Sequence, residues 1–315
     1  MSLSRIGITL GDPGGIGPEI VIKSLANPKG FPAVHYVLFG SSSILENEEN
    51  ALGLKLDRKA VAIREVPTSL RVVKKGAADK DNGSASFLYF QEAVEAARKG
   101  EIQALVTAPV SKRSWALGGI PWRGHTEYLE RFYPGAVMTF WSEKMTVALF
   151  SHHLALREAI ARVTRKNLAN FFRALHECAA KARPGKPEFL VAGLNPHAGE
   201  DGLLGCEEQD EIRPAIEDAR SAGLEISGPY PPDVIFRTAL GHPEKIVIAL
   251  YHDQGLIAFK LDAFATGVNV TLGLPFIRSS PDHGTAFDIA GKNAADPRSM
   301  TEAIRLASEL SPCVF

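Results

Sequence analysis

Nine histidines are spread along the 315 residues, and three of them share a setting. His153 lies in "SHHLAL" after the apolar run "MTVALF", His197 in "NPHAGE" after "EFLVAG", and His252 in "YHDQG" after "KIVIAL". Imidazole is a good ligand for Zn, Co, Ni or Fe, whereas Mg prefers oxygen. Three imidazoles leave coordination positions open for a substrate, as a catalytic metal requires. Asp253 and Gln254 adjoin one of these histidines and Glu200 follows another, and such groups orient metal-bound imidazoles or waters. Unrelated loop histidines would give the same spacing, so the residues alone leave both readings open. His35, His152, His176 and His242 have no comparable surroundings and are expected to be ordinary surface or packed imidazoles.

A second group suits an anion. "GHTEYLERF" sets His125 and Thr126 where a helix can begin, and a helix N-terminus offers free N–H groups to phosphate. Lys260, Asn269 and Arg278 follow in strand or turn settings, with plain surface charge the alternative for the lysine and the arginine. The turn "GDPGGIGPE" joins a strand to a helix with Glu19 in its first turn. It is not the G-x-G-x-x-G fingerprint, and no Walker A sequence occurs. "DHGTAFDIAGKNAADP" combines His283, small residues that let a ligand approach the backbone, and Asp288, a candidate partner for ribose hydroxyls.

Elements must bring these residues together. "RIGITL", "HYVLFG", "QALVTA", "MTVALFS", "PEFLVAGL" and "KIVIAL" read as strands, and most are continuous rather than alternating, which suits strands covered on both faces. "SASFLYFQEAVEAARKGE" and "RKNLANFFRALHECAAKARPG" carry helical spacing, the second with a stop signal in Lys-Ala-Arg-Pro-Gly. This is an α/β plan with a largely parallel sheet and covering helices. In such sheets the carboxyl ends of the strands line one crevice, which brings together histidines far apart in the chain. The composition, 45% hydrophobic and 23% charged, is that of an ordinary enzyme, and a formal net charge of −1 argues against a broad electrostatic grip on nucleic acid or acidic membranes. "MSLSRIGITLGDPGG" has one short apolar run and no signal-peptide pattern, and no stretch reaches the length of a membrane span. Cys178, Cys206 and Cys313 are scattered without metal or disulfide spacing. A cytoplasmic, reduced protein is expected.

Taken in order, "GDPGGIGPE", "TAPVSK", "GHTEYL", "GLNPHAGEDGLLGCEE", "YHDQGL" and "VNVTLGLPFIRSSPDHGTAFDIAG" resemble the 4-hydroxythreonine-4-phosphate dehydrogenase family of pyridoxal phosphate biosynthesis. The first and last also resemble the wider isocitrate/isopropylmalate dehydrogenase group. The resemblance implies an isocitrate/isopropylmalate dehydrogenase-like α/β/α fold of two subdomains with a cleft between them. Residues 1–122 plus 283–315 would form the cofactor side, and 123–282 the metal, substrate and dimer side. It implies a homodimer with the active site at the interface, a divalent metal (Zn, Co or Mg) on His153, His197 and His252, and substrate contacts from His125, Thr126, Lys260, Asn269 and Arg278. The wider group implies that NAD or NADP lies along His283, Gly284, Thr285, Asp288 and Gly291. Two departures stand out: Ala155 replaces a usual proline in "HLAL", and Pro281 replaces a usual valine.

The implied reaction is oxidation of 4-phosphooxy-L-threonine at C3, followed by decarboxylation to 3-amino-2-oxopropyl phosphate. Asp253, Asp233 and a metal-bound hydroxide are the candidate general bases. A paralogous dehydrogenase of D-threonate or D-erythronate 4-phosphate is the alternative, and a non-redox phosphate acyltransferase a more distant one. A membrane or nucleic-acid partner is not expected.

Overall fold

Apolar runs with no polar alternation can be satisfied only where both faces are covered, and these runs are. In the computed structural model, which describes residues 3–26, 31–182 and 186–311, the strands in chain order are β1 (Arg5–Thr9), β2 (His35–Gly40), β3 (Val61–Glu65), β4 (Ala104–Thr107), β5 (Val137–Trp141), β6 (Thr146–Leu149), β7 (Glu188–Ala192), β8 (Ile226–Tyr230), β9 (Lys245–Ala249), β10 (Val268–Leu272) and β11 (Ile277–Pro281). All residues of β4, β5, β6 and β11 are buried. All six strands expected from the apolar runs are present. Cys313 and the helix stop at Arg183–Gly185 lie outside the described residues. Cys178 and Cys206 are free thiols.

The chain packs as two compact units, residues 1–134 with 274–315, and residues 135–273. The expected breaks at 122/123 and 282/283 therefore sit off the observed ones, and His125, Thr126 and Arg278 belong to the first unit. In that unit the strand order is β3-β2-β1-β4-β11, all parallel. The long helix Lys80–Arg98 packs on β1, β2 and β4. It begins earlier than the apolar spacing predicts, because the Asp79 side chain caps it by accepting from the N–H groups of Asp81 (2.9 Å) and Asn82 (3.3 Å). Gly83 in its first turn is required by close packing, since a Cβ there would lie 2.2 Å from the Ser114 carbonyl oxygen.

In the second unit the order is β10-β5-β6-β9-β7-β8. β6, β9, β7 and β8 run parallel, and β5 is antiparallel to both β6 and β10. The unit has its own core, including Met138, Phe140, Val147, Leu190, Val247 and Phe259, each large side chain contributing about 1.5–3 kcal/mol by burial. Its two ends meet: a side chain at Gly273 would lie 3.0 Å from the Gly135 carbonyl oxygen. Among the described residues no helix is long and apolar enough to cross a membrane.

Candidate active site

β6, β9 and β7 are neighbours, and their carboxyl ends are level: Leu149 pairs with Ala249, and Val191 with Ile248. Adjacent strands lie about 4.8 Å apart, so the segments that follow start side by side. They are the segments bearing His153, His252 and His197. The adjacency brings two of the rings together. His153 and His252 lie 5.7 Å apart, centre to centre, and line a concavity of about 250 Å³ with Ser151, His152, Tyr251 and Asp253. His252 Nδ1 is 2.6 Å from Asp253 Oδ1. A carboxylate there favours the tautomer with the proton on Nδ1 and Nε2 available to a ligand, an arrangement compatible with a divalent metal. His197 is exposed at the adjacent strand end. Among the described residues no three His, Cys, Asp or Glu side chains are gathered as a ready metal group, so the expected three-histidine set is assembled only in part. His152, expected to be ordinary, lines the same concavity. Its burial, then the proximity of His252 and Arg162, pushes its pKa down.

Backbone geometry marks the same residues. His153 has φ 50, and from His197 to Asp201 five consecutive residues have φ between 44 and 82. Only Gly199 among them is a glycine. Left-handed backbone is costly for other L-residues and persists where the surroundings over-determine it. Glu208 supplies part of that constraint. It is 1% exposed, and its Oε1 accepts from the N–H groups of Leu194 (2.7 Å) and Asn195 (2.8 Å) while Oε2 accepts from Asn195 Nδ2 (2.9 Å). Asp253 is exposed, as is Asp233 in the first turn of the helix Pro232–Ala239. Lys260, on the helix His252–Ala263, and Asn269, on β10, are half-buried.

In the first unit Arg278 is 3% exposed on β11, which removes the surface-charge reading for this residue. Its Nη2 donates to Thr107 Oγ1 (2.7 Å) and lies 3.2 Å from His125 Nδ1. His125 opens the helix His125–Glu130, as expected, and packs against Phe90 (4.5 Å) and Trp115 (5.6 Å). Burial, and then Arg278, hold its pKa well below the ordinary histidine value. Burial lowers Arg278 as well, to about 10, and still leaves it charged at neutral pH. The imidazole is therefore neutral, with Nδ1 accepting from Arg278. The proton then sits on Nε2, a buried atom with no hydrogen-bond partner. A cation and an unmatched donor side by side suit an anionic oxygen. Thr107 lies within "TAPVSK" and Glu208 within "GLLGCEE". Neither has a sequence signal beyond its motif.

The segment His283–Gly291 has no regular secondary structure and docks on the "GDPGG" turn. Thr285 O accepts from Ile16 N (3.0 Å), and a Cβ on Gly15 would lie 2.8 Å from Thr285. Buried Glu19 ties down the residues beyond it, with Oε1 accepting from Ala295 N (2.9 Å) and Lys23 Nζ (2.7 Å). Nothing lies within 4 Å of where a Gly284 side chain would stand, so the backbone there is open on that side. His283, Gly284, Asp288 and Gly291 are exposed.

The carboxyl ends of parallel strands, where the histidines of the second unit lie, are where open α/β sheets bind ligands, and in the first unit a buried arginine lies beside a neutral imidazole. Comparison with known proteins narrows the class. The pattern of the family described as "Pyridoxal phosphate biosynthetic protein PdxA" matches residues 33–307. A 4-hydroxythreonine-4-phosphate dehydrogenase of Desulforapulum autotrophicum is 39% identical, over 96% of this chain and 94% of its own. A protein of Oceanobacillus iheyensis with the provisional name D-threonate 4-phosphate dehydrogenase is 38% identical, over 98% of both chains. The crystal structure of a 4-hydroxythreonine-4-phosphate dehydrogenase from Klebsiella pneumoniae superposes with a TM-score of 0.85 at 34% identity, covering 98% of this chain and 99% of that one. The chain belongs to the PdxA family.

Proposed function

We propose that the protein oxidises 4-phosphooxy-L-threonine (4-hydroxy-L-threonine phosphate) to 2-amino-3-oxo-4-phosphooxybutanoate, which loses CO2 to give 3-amino-2-oxopropyl phosphate for pyridoxal phosphate synthesis. The observation that carries this is full-length similarity to dehydrogenases named for that substrate. The reaction removes a hydride from C3 and a proton from its hydroxyl. NAD or NADP supplies the hydride acceptor, and Thr285, Asp288 and the open backbone at Gly284 are its proposed contacts, with His283 and Gly291 at the ends of that segment. His153, His197 and His252 would hold a divalent cation, which would supply Lewis-acid lowering of the pKa of a substrate hydroxyl. Asp253 is the proposed proton acceptor, with Asp233 the other candidate. His125, Thr126, Lys260, Asn269 and Arg278 hold the phosphate and substrate, so that binding far from C3 fixes the reacting carbon.

The test is the rise in near-ultraviolet absorbance of reduced nicotinamide, with each cofactor and with added Zn, Co or Mg. Turnover of 4-phosphooxy-L-threonine well above that of D-threonate 4-phosphate is expected. The reverse preference would establish the second reading, which the similarity to the Oceanobacillus iheyensis protein favours.

We further propose a homodimer, and a cytoplasmic location to match its free thiols. The helix His252–Ala263 exposes Ile257 (65%) and Leu261 (85%), and Phe264 (78%) follows at its end. This i, i+4, i+7 spacing puts them on one face, and an exposed apolar stripe marks an interaction surface. Sedimentation should give a dimer for the wild type and a monomer for Leu261→Asp. An active wild-type monomer would end the idea.

A further inference from the structure

We infer that Gln254 is the positioning residue that sets the spacing of the histidine-bearing strand ends. This rests on the metal reading proposed above and adds the element that holds the ligands in place. Gln254 follows His252 by two residues, yet its amide turns inward and is 9% exposed. Its Oε1 accepts from Leu250 N (2.7 Å), just past the end of β9. Its Nε2 donates to Gly193 O (2.7 Å), just past the end of β7. On the other side of β9, Ser151 Oγ donates to Leu250 O (2.7 Å). One relay, Ser151 to Leu250 to Gln254 to Gly193, therefore ties the ends of β6, β9 and β7 before they diverge into the loops of His153, His252 and His197.

The chemistry of the relay requires an amide. Leu250 N–H needs an acceptor and Gly193 O needs a donor, and a primary amide presents both on one rigid plane. A carboxylate of the same shape keeps the first bond and sets two acceptors against each other at the second. Gly193, beyond the β7–β9 ladder and leading into the His197 loop, then loses this tie, while the segments after β6 and β9 stay joined through Ser151.

The experiment is titration of the metal-free full-length protein with Co²⁺, reading the dissociation constant and the visible band that reports coordination. Gln254→Glu is expected to weaken Co²⁺ about ten- to hundredfold, the usual cost of losing an outer-shell support, and to reduce the intensity of the band, while circular dichroism stays as in the wild type. Gln254→Met removes both bonds, and it serves if the first variant does not fold. Ser151→Ala cuts the relay on its other side and should weaken binding by itself. Wild-type affinity in folded Gln254 variants, with binding lost in His252→Ala, would overturn this inference and leave the metal reading standing. A wild-type protein that binds no Co²⁺ would overturn both.

Discussion

The pairing of Arg278 with His125 gives two expectations that separate charge from titration. A charge-assisted hydrogen bond to phosphate is worth about 1.5–3 kcal/mol, so Arg278→Ala should raise the KM for a phosphorylated substrate about ten- to hundredfold. Steady-state kinetics matching the wild type would place the phosphate elsewhere. His125 is held neutral when folded, while in the unfolded chain it titrates near pH 6.5. Its contribution to stability is thus fully present above that pH and is lost as pH falls below it, because the unfolded chain takes up a proton that the folded one refuses. His125→Gln lacks this term. The gap in unfolding free energy between wild type and variant, measured by denaturant titration, should narrow between about pH 7 and 5, and a constant gap would contradict the neutral assignment. Neither partner was legible as a pair in the sequence. Arg278 sits in a short run, "IRSSP", that does not read as a buried strand, and it meets His125 and Thr107 across 153 and 171 residues of chain.

At the scale of elements, the strand ends were legible and their order was not. Continuous apolar runs announced β6, β7 and β9 because burial on both faces leaves no room for alternation. Nothing in those runs says that β9 lies between β6 and β7, which is what allows His153 and His252 to approach. β3, β5, β8, β10 and β11 were missed: "VAIRE", "ISGPY" and "IRSSP" break the apolar pattern with Arg, Glu, Gly, Pro or Ser, and their strand geometry comes from their neighbours in the sheet. The left-handed turn from His197 was equally invisible, since "HAGED" is an unremarkable loop sequence. It carries a measurable strain. Ala198 has φ 54, a conformation costing a non-glycine residue about 1–2 kcal/mol. Ala198→Gly should relax it, raising the unfolding free energy by about 0.5–1 kcal/mol after the entropy that glycine adds to the unfolded chain, while weakening metal binding by loosening His197. A variant that is less stable and binds metal as before would show that the turn is held by something other than strain against its surroundings.

At the scale of the whole molecule, the α/β plan was legible from alternating apolar runs and helices, whereas the division into two parts came only from the family resemblance, and its breaks are displaced from the observed ones because no composition shift marks them. The meeting of Gly135 and Gly273 has a consequence for how the chain is assembled. A stretch whose two ends touch, and whose interior side chains are filled from within that same stretch, is closed as a topological object: it can be lifted out of the gene as one piece. Residues 135–273, expressed alone with the ends left free or joined by a short glycine linker, should give a single cooperative melting transition with α/β circular dichroism and bind Co²⁺ through its own histidines. A fragment that stays unfolded under conditions where the full chain folds would mean that this half borrows its stability from the other.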